Sequence, residues 1–215
     1  MADTITATHK PSQFQTLLRP TVLDRAEQIV VVILFCLLTY RVVLSHNTLA
    51  PLLLIAEGAV AFFVLIRRPT SAISVQLGDW LLAITATAAP LLVAPIDSSP
   101  AFMVVPAVLL ILFGTCFQLC SKLVLRRSFG IAPANRGVKT GGPYRIVRHP
   151  MYAGYLASHV GIFMLIPSLF NLTIYAIAWW SQVLRLLAEE RLLSNDPAYL
   201  ALKEKTRFRL IPGLF

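Results

Sequence analysis

Six apolar runs, at roughly 26–44, 49–66, 80–96, 101–124, 151–167 and 172–188, dominate this chain, each bounded by charge or by Pro, Gly and Asn. Most approach the ~20 residues that a helix needs to cross a hydrocarbon core. Of the 215 residues 57% are hydrophobic and 13% charged, far from the usage of a soluble domain. The expected fold is all-α, a polytopic transmembrane helical bundle of about six spans. The fifth run is short and the third carries Pro90 and Pro95, so five spans are the alternative.

The positive charges give the bundle an orientation. Lys10, Arg19 and Arg25 precede the first run, and Arg67 and Arg68 follow the second. Lys122, Arg126, Arg127, Arg136, Lys139, Arg145 and Arg148 fill the connection after the fourth, and Arg191, Lys203, Lys205, Arg207 and Arg209 lie beyond the sixth. The alternate connections, near 45–48, 97–100 and 168–171, carry none. Six spans therefore predict both termini and the basic loops on the cytoplasmic face. The net charge of +9 is explained by contact with anionic lipid headgroups, with no nucleic-acid partner. Met1 to Asp24 is polar, so the first run is expected to be kept and not cleaved as a signal. Cys36, Cys116 and Cys120 fall in apolar runs and are expected to be small core residues. No His/Cys cluster has metal-ligand spacing, so no metal is expected.

Most unusual polar residues lie in the last third. Arg41 and Glu57 are exceptions, and their place in adjacent runs suggests an ion pair. The basic connection LRRSFGIAPANRGVKTGGPYRIVRHP is about 25 residues long, and loops of that length are usually functional or disordered. It ends on Pro150, which suits a first helical turn, with Arg148, His149 and Tyr152 around a helix start able to receive an anion. A second cluster, RLLAEERLL at 185–193, places Arg185, Glu189 and, one step round, Glu190 near one helix face. If the last two runs form a hairpin through PSLFN, both clusters reach the same membrane face and build one pocket.

GGPYRIVRHPMYAGY, then AEER and the final YLALKEKTRFRLIPGLF, together resemble the isoprenylcysteine carboxyl methyltransferase family, whose pattern is Gly-x-Tyr, Arg-His-Pro-x-Tyr-x-Gly and a later Glu-Glu pair. The resemblance covers about 122–215. It divides one integral domain into N-terminal scaffold helices, 1–121, and a methyltransferase-like region, 122–215. It implies a membrane enzyme using S-adenosylmethionine, with the cofactor enclosed by the last helices and the C-terminal segment. By the same resemblance the cofactor is held by Arg136, Gly137, Val138 and Lys139, by Tyr144, by His149, Pro150, Met151 and Tyr152, and by Glu189. Arg185 matches the family's arginine that binds the acceptor carboxylate, and Arg148 and Glu190 are further candidates. Residues 136–139 match the family's first cofactor stretch poorly.

These roles suit the chemistry. Glu189 suits the cofactor's ammonium, while His149, Tyr144 and backbone amides suit the rest. A carboxylate acceptor is already ionised at neutral pH and needs no general base, so Arg185 has only to orient it. The acceptor is then a lipophilic or lipidated molecule. A phospholipid amine or a small thiol is the alternative, and an amine would ask Glu190 or His149 to act as base. NADPH-dependent sterol reductases resemble the same region, and a non-enzymatic scaffold docking on membrane lipids is the reading from outside enzymology.

Overall fold

A computed structural model describes residues 20–44, 58, 61–70, 72–93 and 101–215 of the chain. Described in chain order are α1 (Pro20–Val43), a short helical stretch at 61–65, α2 (Leu77–Ala88) and α3 (Ala101–Leu125). Then come α4 (Pro150–Leu165), α5 (Leu169–Leu193) and α6 (Pro197–Lys205). The fold is all-helical among these residues, with one isolated bridge between Ile73 and Ala134.

The helices follow the apolar runs, and their ends have local causes. α2 gives way at Ala89 to a tight turn, Ala89–Leu92, where Pro90 cannot donate a helical hydrogen bond. α4 stops before Pro167, and Ser168 caps α5 by accepting from the Asn171 amide. Asp196 caps α6 through the Ala198 amide at 2.8 Å. Among the described residues, 101–128 is the one stretch long and apolar enough to cross a membrane by length and composition. Most of the second apolar run, and with it the expected Arg41–Glu57 pair, lies outside the described residues.

Among the described residues, α3 and α4 run antiparallel in the most extensive helix contact. A Cβ placed on Gly114 would lie 2.6 Å from the Gly154 carbonyl oxygen, and one on Gly154 would lie 2.7 Å from the Gln118 nitrogen. Only glycine lets two backbones meet this closely, as in helix pairs formed within lipid. Between α4 and α5 the backbones approach less tightly, and rings of Tyr155, His159, Phe163, Tyr175 and Trp179 fill the seam.

The outer surface is apolar. Phe102, Val105, Leu109 and Phe113 of α3 are exposed, as are Leu169 and Trp180 of α5. The three cysteines are exposed too, which corrects their expected place in the core. In a chain with an apolar exterior, hydrophobic sequence does not distinguish an inward side chain from an outward one.

The long connection after α3 is ordered and hydrogen-bonded. Residues 68–70 and 72–74 run beside it, with Arg68 N donating to Arg127 O at 2.7 Å, Ser74 N to Pro133 O at 2.9 Å and Asn135 N to Ala72 O at 2.8 Å. The chain after α6 returns along the segment before α4. Arg148 N and His149 N donate to the carbonyls of Phe208 and Arg209, each at 2.9 Å.

Candidate active site

Where these segments converge, Glu190 ties the framework together. Its Oε1 receives Arg148 Nε at 2.9 Å and the Tyr199 hydroxyl at 2.9 Å, and lies 3.2 Å from His149 Nε2. Its Oε2 receives Arg209 Nε at 2.9 Å. Burial pushes the Glu190 carboxyl up, but the hydrogen bonds from His149, Arg209 and Tyr199 outweigh it and hold the group well below the usual carboxylate range. Arg148 also donates to the carbonyls of Thr206 and Arg207, at 3.2 and 2.9 Å. Helix end, helix start, α6 and tail are thereby joined by one carboxylate.

In front of this knot is a cleft of about 550 Å³, counting its open mouth. Arg136, Gly137, Val138, Lys139, Tyr144, His149, Met151, Tyr152 and Glu189 all line it, so nearly every cofactor residue implied by the resemblance meets at one place. Pro150 does not line it. It is buried at the first position of α4 and acts by starting the helix beside the cleft. Leu125, Leu193 and Leu202 add apolar walls.

Neighbouring residues of RLLAEERLL have separated roles. Glu189 is half-buried at the cleft, and its Oε2 accepts the Tyr152 hydroxyl at 2.8 Å. Glu190 points into the ionic knot, about 100° away around the helix. Arg148 lines the cleft, yet its guanidinium is committed to Glu190 and the tail carbonyls. Arg185, one turn before Glu189, is 4% exposed, with its guanidinium carbon 5.3 Å from the Tyr152 ring centroid. It does not line the cleft. Among the described residues it has no carboxylate partner, and its Nε has no hydrogen bond.

Tyr144 is buried, which pushes its phenol up, and the Glu189 carboxylate beside it adds to the effect. It therefore stays protonated. The residues present fit S-adenosylmethionine: the Glu189 carboxylate suits an ammonium, the Tyr144 and Tyr152 rings suit cations, and the leucines suit a flat apolar face.

Two sets of residues escaped the sequence reading. Lys122, counted among the positive charges of the membrane face, is 1% exposed, 3.1 Å from Gln118 Oε1 and over the Tyr155 ring at 5.2 Å. Its spacing of four from Gln118 was the available signal. The Arg136 guanidinium reaches Asp24 of α1, at 2.5 Å, so the wall at 136–139 leans on the N-terminal scaffold region. Asp24 and Glu27, two acids one turn apart among only ten in the chain, marked that possibility.

Residues 102–196, from the first turn of α3 to the cap of α6, match the model of the family described as phospholipid methyltransferase, which includes the isoprenylcysteine carboxyl methyltransferases. No curated protein matches the chain. Over that stretch the chain is similar to a family of membrane-associated methyltransferases that generally use S-adenosylmethionine, which agrees with the resemblance read from the motifs.

Proposed function

We propose, from the methyltransferase kinship of residues 102–196 and the cleft at their centre, that the chain transfers a methyl group from S-adenosylmethionine to a carboxylate of a lipophilic, isoprenylcysteine-like acceptor. S-adenosylmethionine, when bound, supplies a methyl group on a positively charged sulfur. Glu189 holds its ammonium, with Tyr152 fixing the carboxylate that does so. Residues 136–139, Tyr144 and Met151 surround the remainder.

One observation carries the choice of acceptor. Arg185 is a buried cation with no acidic partner among the described residues, one helical turn from Glu189 and against Tyr152. An uncompensated buried charge is expensive, so a carboxylate brought by the acceptor completes the site. That carboxylate is ionised at neutral pH, and catalysis consists of orientation in a water-poor place. A phospholipid acceptor draws support from Lys122, a second buried cation that suits a phosphate. It also needs a base for its amine, whereas His149 is held against Glu190.

The proposal places the enzyme in the membrane as a multi-pass protein of six spans, with five as the alternative, and with termini and cleft on the cytoplasmic side. The basic segments support this, since Arg68 joins Arg127 and Arg148 joins the 206–207 backbone around the cleft.

Calorimetry on the detergent-purified protein with S-adenosylmethionine and, separately, NADPH tests the cofactor. Methylation of S-farnesylcysteine and of a phosphatidylethanolamine vesicle then tests the acceptor. Arg185→Ala is expected to raise the KM for the carboxylate acceptor about tenfold or more, as loss of a charged contact does, and to leave cofactor affinity nearly intact. Binding of NADPH alone would move the protein to the reductases, and loss of cofactor binding in Arg185→Ala would reverse its assignment.

A further inference from the structure

Four charged side chains are buried together outside the ionic knot of Glu190. Arg67 lies 2.5 Å from Glu27 Oε1 and 3.0 Å from Asp24 Oδ1, and also donates to the Asp24 carbonyl. Arg136 lies 2.5 Å from the same Asp24 oxygen. Glu27 Oε1 receives the Ile131 amide at 2.5 Å as well. Side-chain exposure is 0% for Arg67, 1% for Arg136, 6% for Asp24 and 4% for Glu27. Two acids and two arginines cancel, which is the condition under which buried charges are tolerable.

The tetrad grips both ends of one loop. Glu27 holds it at Ile131 and Asp24 holds it at Arg136, whose guanidinium lies so close to Gly130 that a Cβ there would overlap it. The Arg136 carbonyl accepts the Ser128 hydroxyl at 2.9 Å, and the next residue, Gly137, turns with a φ of +97°. That turn leads directly into Val138 and Lys139 on the cleft wall. Three of the four residues lie before 102, outside the stretch that matches the family.

We infer that Asp24, Glu27 and Arg67 are positioning residues for cofactor binding: through the Arg136 side chain and the Ile131 amide they set the backbone of 136–139 as one wall of the cleft. The inference rests on the S-adenosylmethionine reading of that cleft. The N-terminal helix then completes the site mechanically, touching no ligand itself.

The test is calorimetric titration of the full-length, detergent-purified protein with S-adenosylmethionine, with thermal unfolding to establish that each variant is folded. Asp24→Asn is expected to raise the cofactor Kd about tenfold or more, the scale of effect that a displaced positioning group produces. The KM for acceptor at saturating cofactor should be unchanged. Asp24→Asn combined with Arg136→Gln should be no worse than either alone, since both act through one contact. That pair also removes one charge of each sign, and it carries the test if the single variant does not fold. A folded Asp24→Asn protein with wild-type Kd, or effects on Kd that add in the double variant, would reduce the tetrad to a structural anchor. Wild-type protein that fails to bind S-adenosylmethionine would overturn the cofactor reading and this inference with it.

Discussion

Replacing Glu190 by Gln tests the framework independently of any ligand. Glu190 accepts from Arg148, Tyr199 and Arg209 and lies against His149, and its side chain is 8% exposed. The amide keeps the shape but removes the charge and half of the accepting capacity. Arg148, 5% exposed, cannot regain water, whereas Arg209, 32% exposed, largely can. Breaking a buried pair costs about 3–5 kcal/mol, and the re-solvation of Arg209 places this case near 3 kcal/mol. For a chain of this size that is a fall of about 6–12 °C in apparent Tm, read by thermal unfolding in detergent at neutral pH. The carboxyl is held below its ordinary value of 4.5, so its contribution is fully present above that pH and is lost as pH falls below it. The wild-type protein should lose stability over that acid range and Glu190→Gln should lose less. A variant within about 1 kcal/mol of wild type at neutral pH would refute the assignment of Glu190 as the joint of the C-terminal region.

Two further outcomes are expected. Glu189→Gln should weaken S-adenosylmethionine binding by about 1.5–3 kcal/mol, the worth of one charge-assisted hydrogen bond, and unchanged calorimetric affinity would remove Glu189 from the site. Gly154→Ala should cost about 2 kcal/mol or more, because the added methyl meets backbone of α3 at 2.7 Å, while Gly141→Ala, with nothing within 4 Å, should be neutral by the same thermal assay.

Much of the candidate cleft was legible because the motifs that carry the family resemblance cluster around the start of α4 and the end of α5. Residues 136–139, Tyr144, His149, Met151, Tyr152 and Glu189, the set that the family resemblance implied, meet at one cleft. Less legible was the direction of each side chain. Glu189 and Glu190 are neighbours of identical chemistry, and only the angle of α5 against α4 and α6 sends one to the cleft and the other to four partners behind it. Arg148 and Arg136 line the cleft as well, while their guanidinium groups are spent on Glu190 and Asp24.

The amino-acid sequence by itself determined the helices and their ends, since apolar length, proline and capping residues act within a few positions of where they stand. Tertiary structure decided what depends on distant chain meeting. It set Gly114 against Gly154, sank Lys122 beside Tyr155, turned the cysteines outward and joined Arg136 to Asp24 across more than a hundred residues. The physical reason is that in a chain apolar on both its inner and outer surfaces, hydrophobicity marks where a helix lies but not which way it faces, and only packing and charge pairing choose the face.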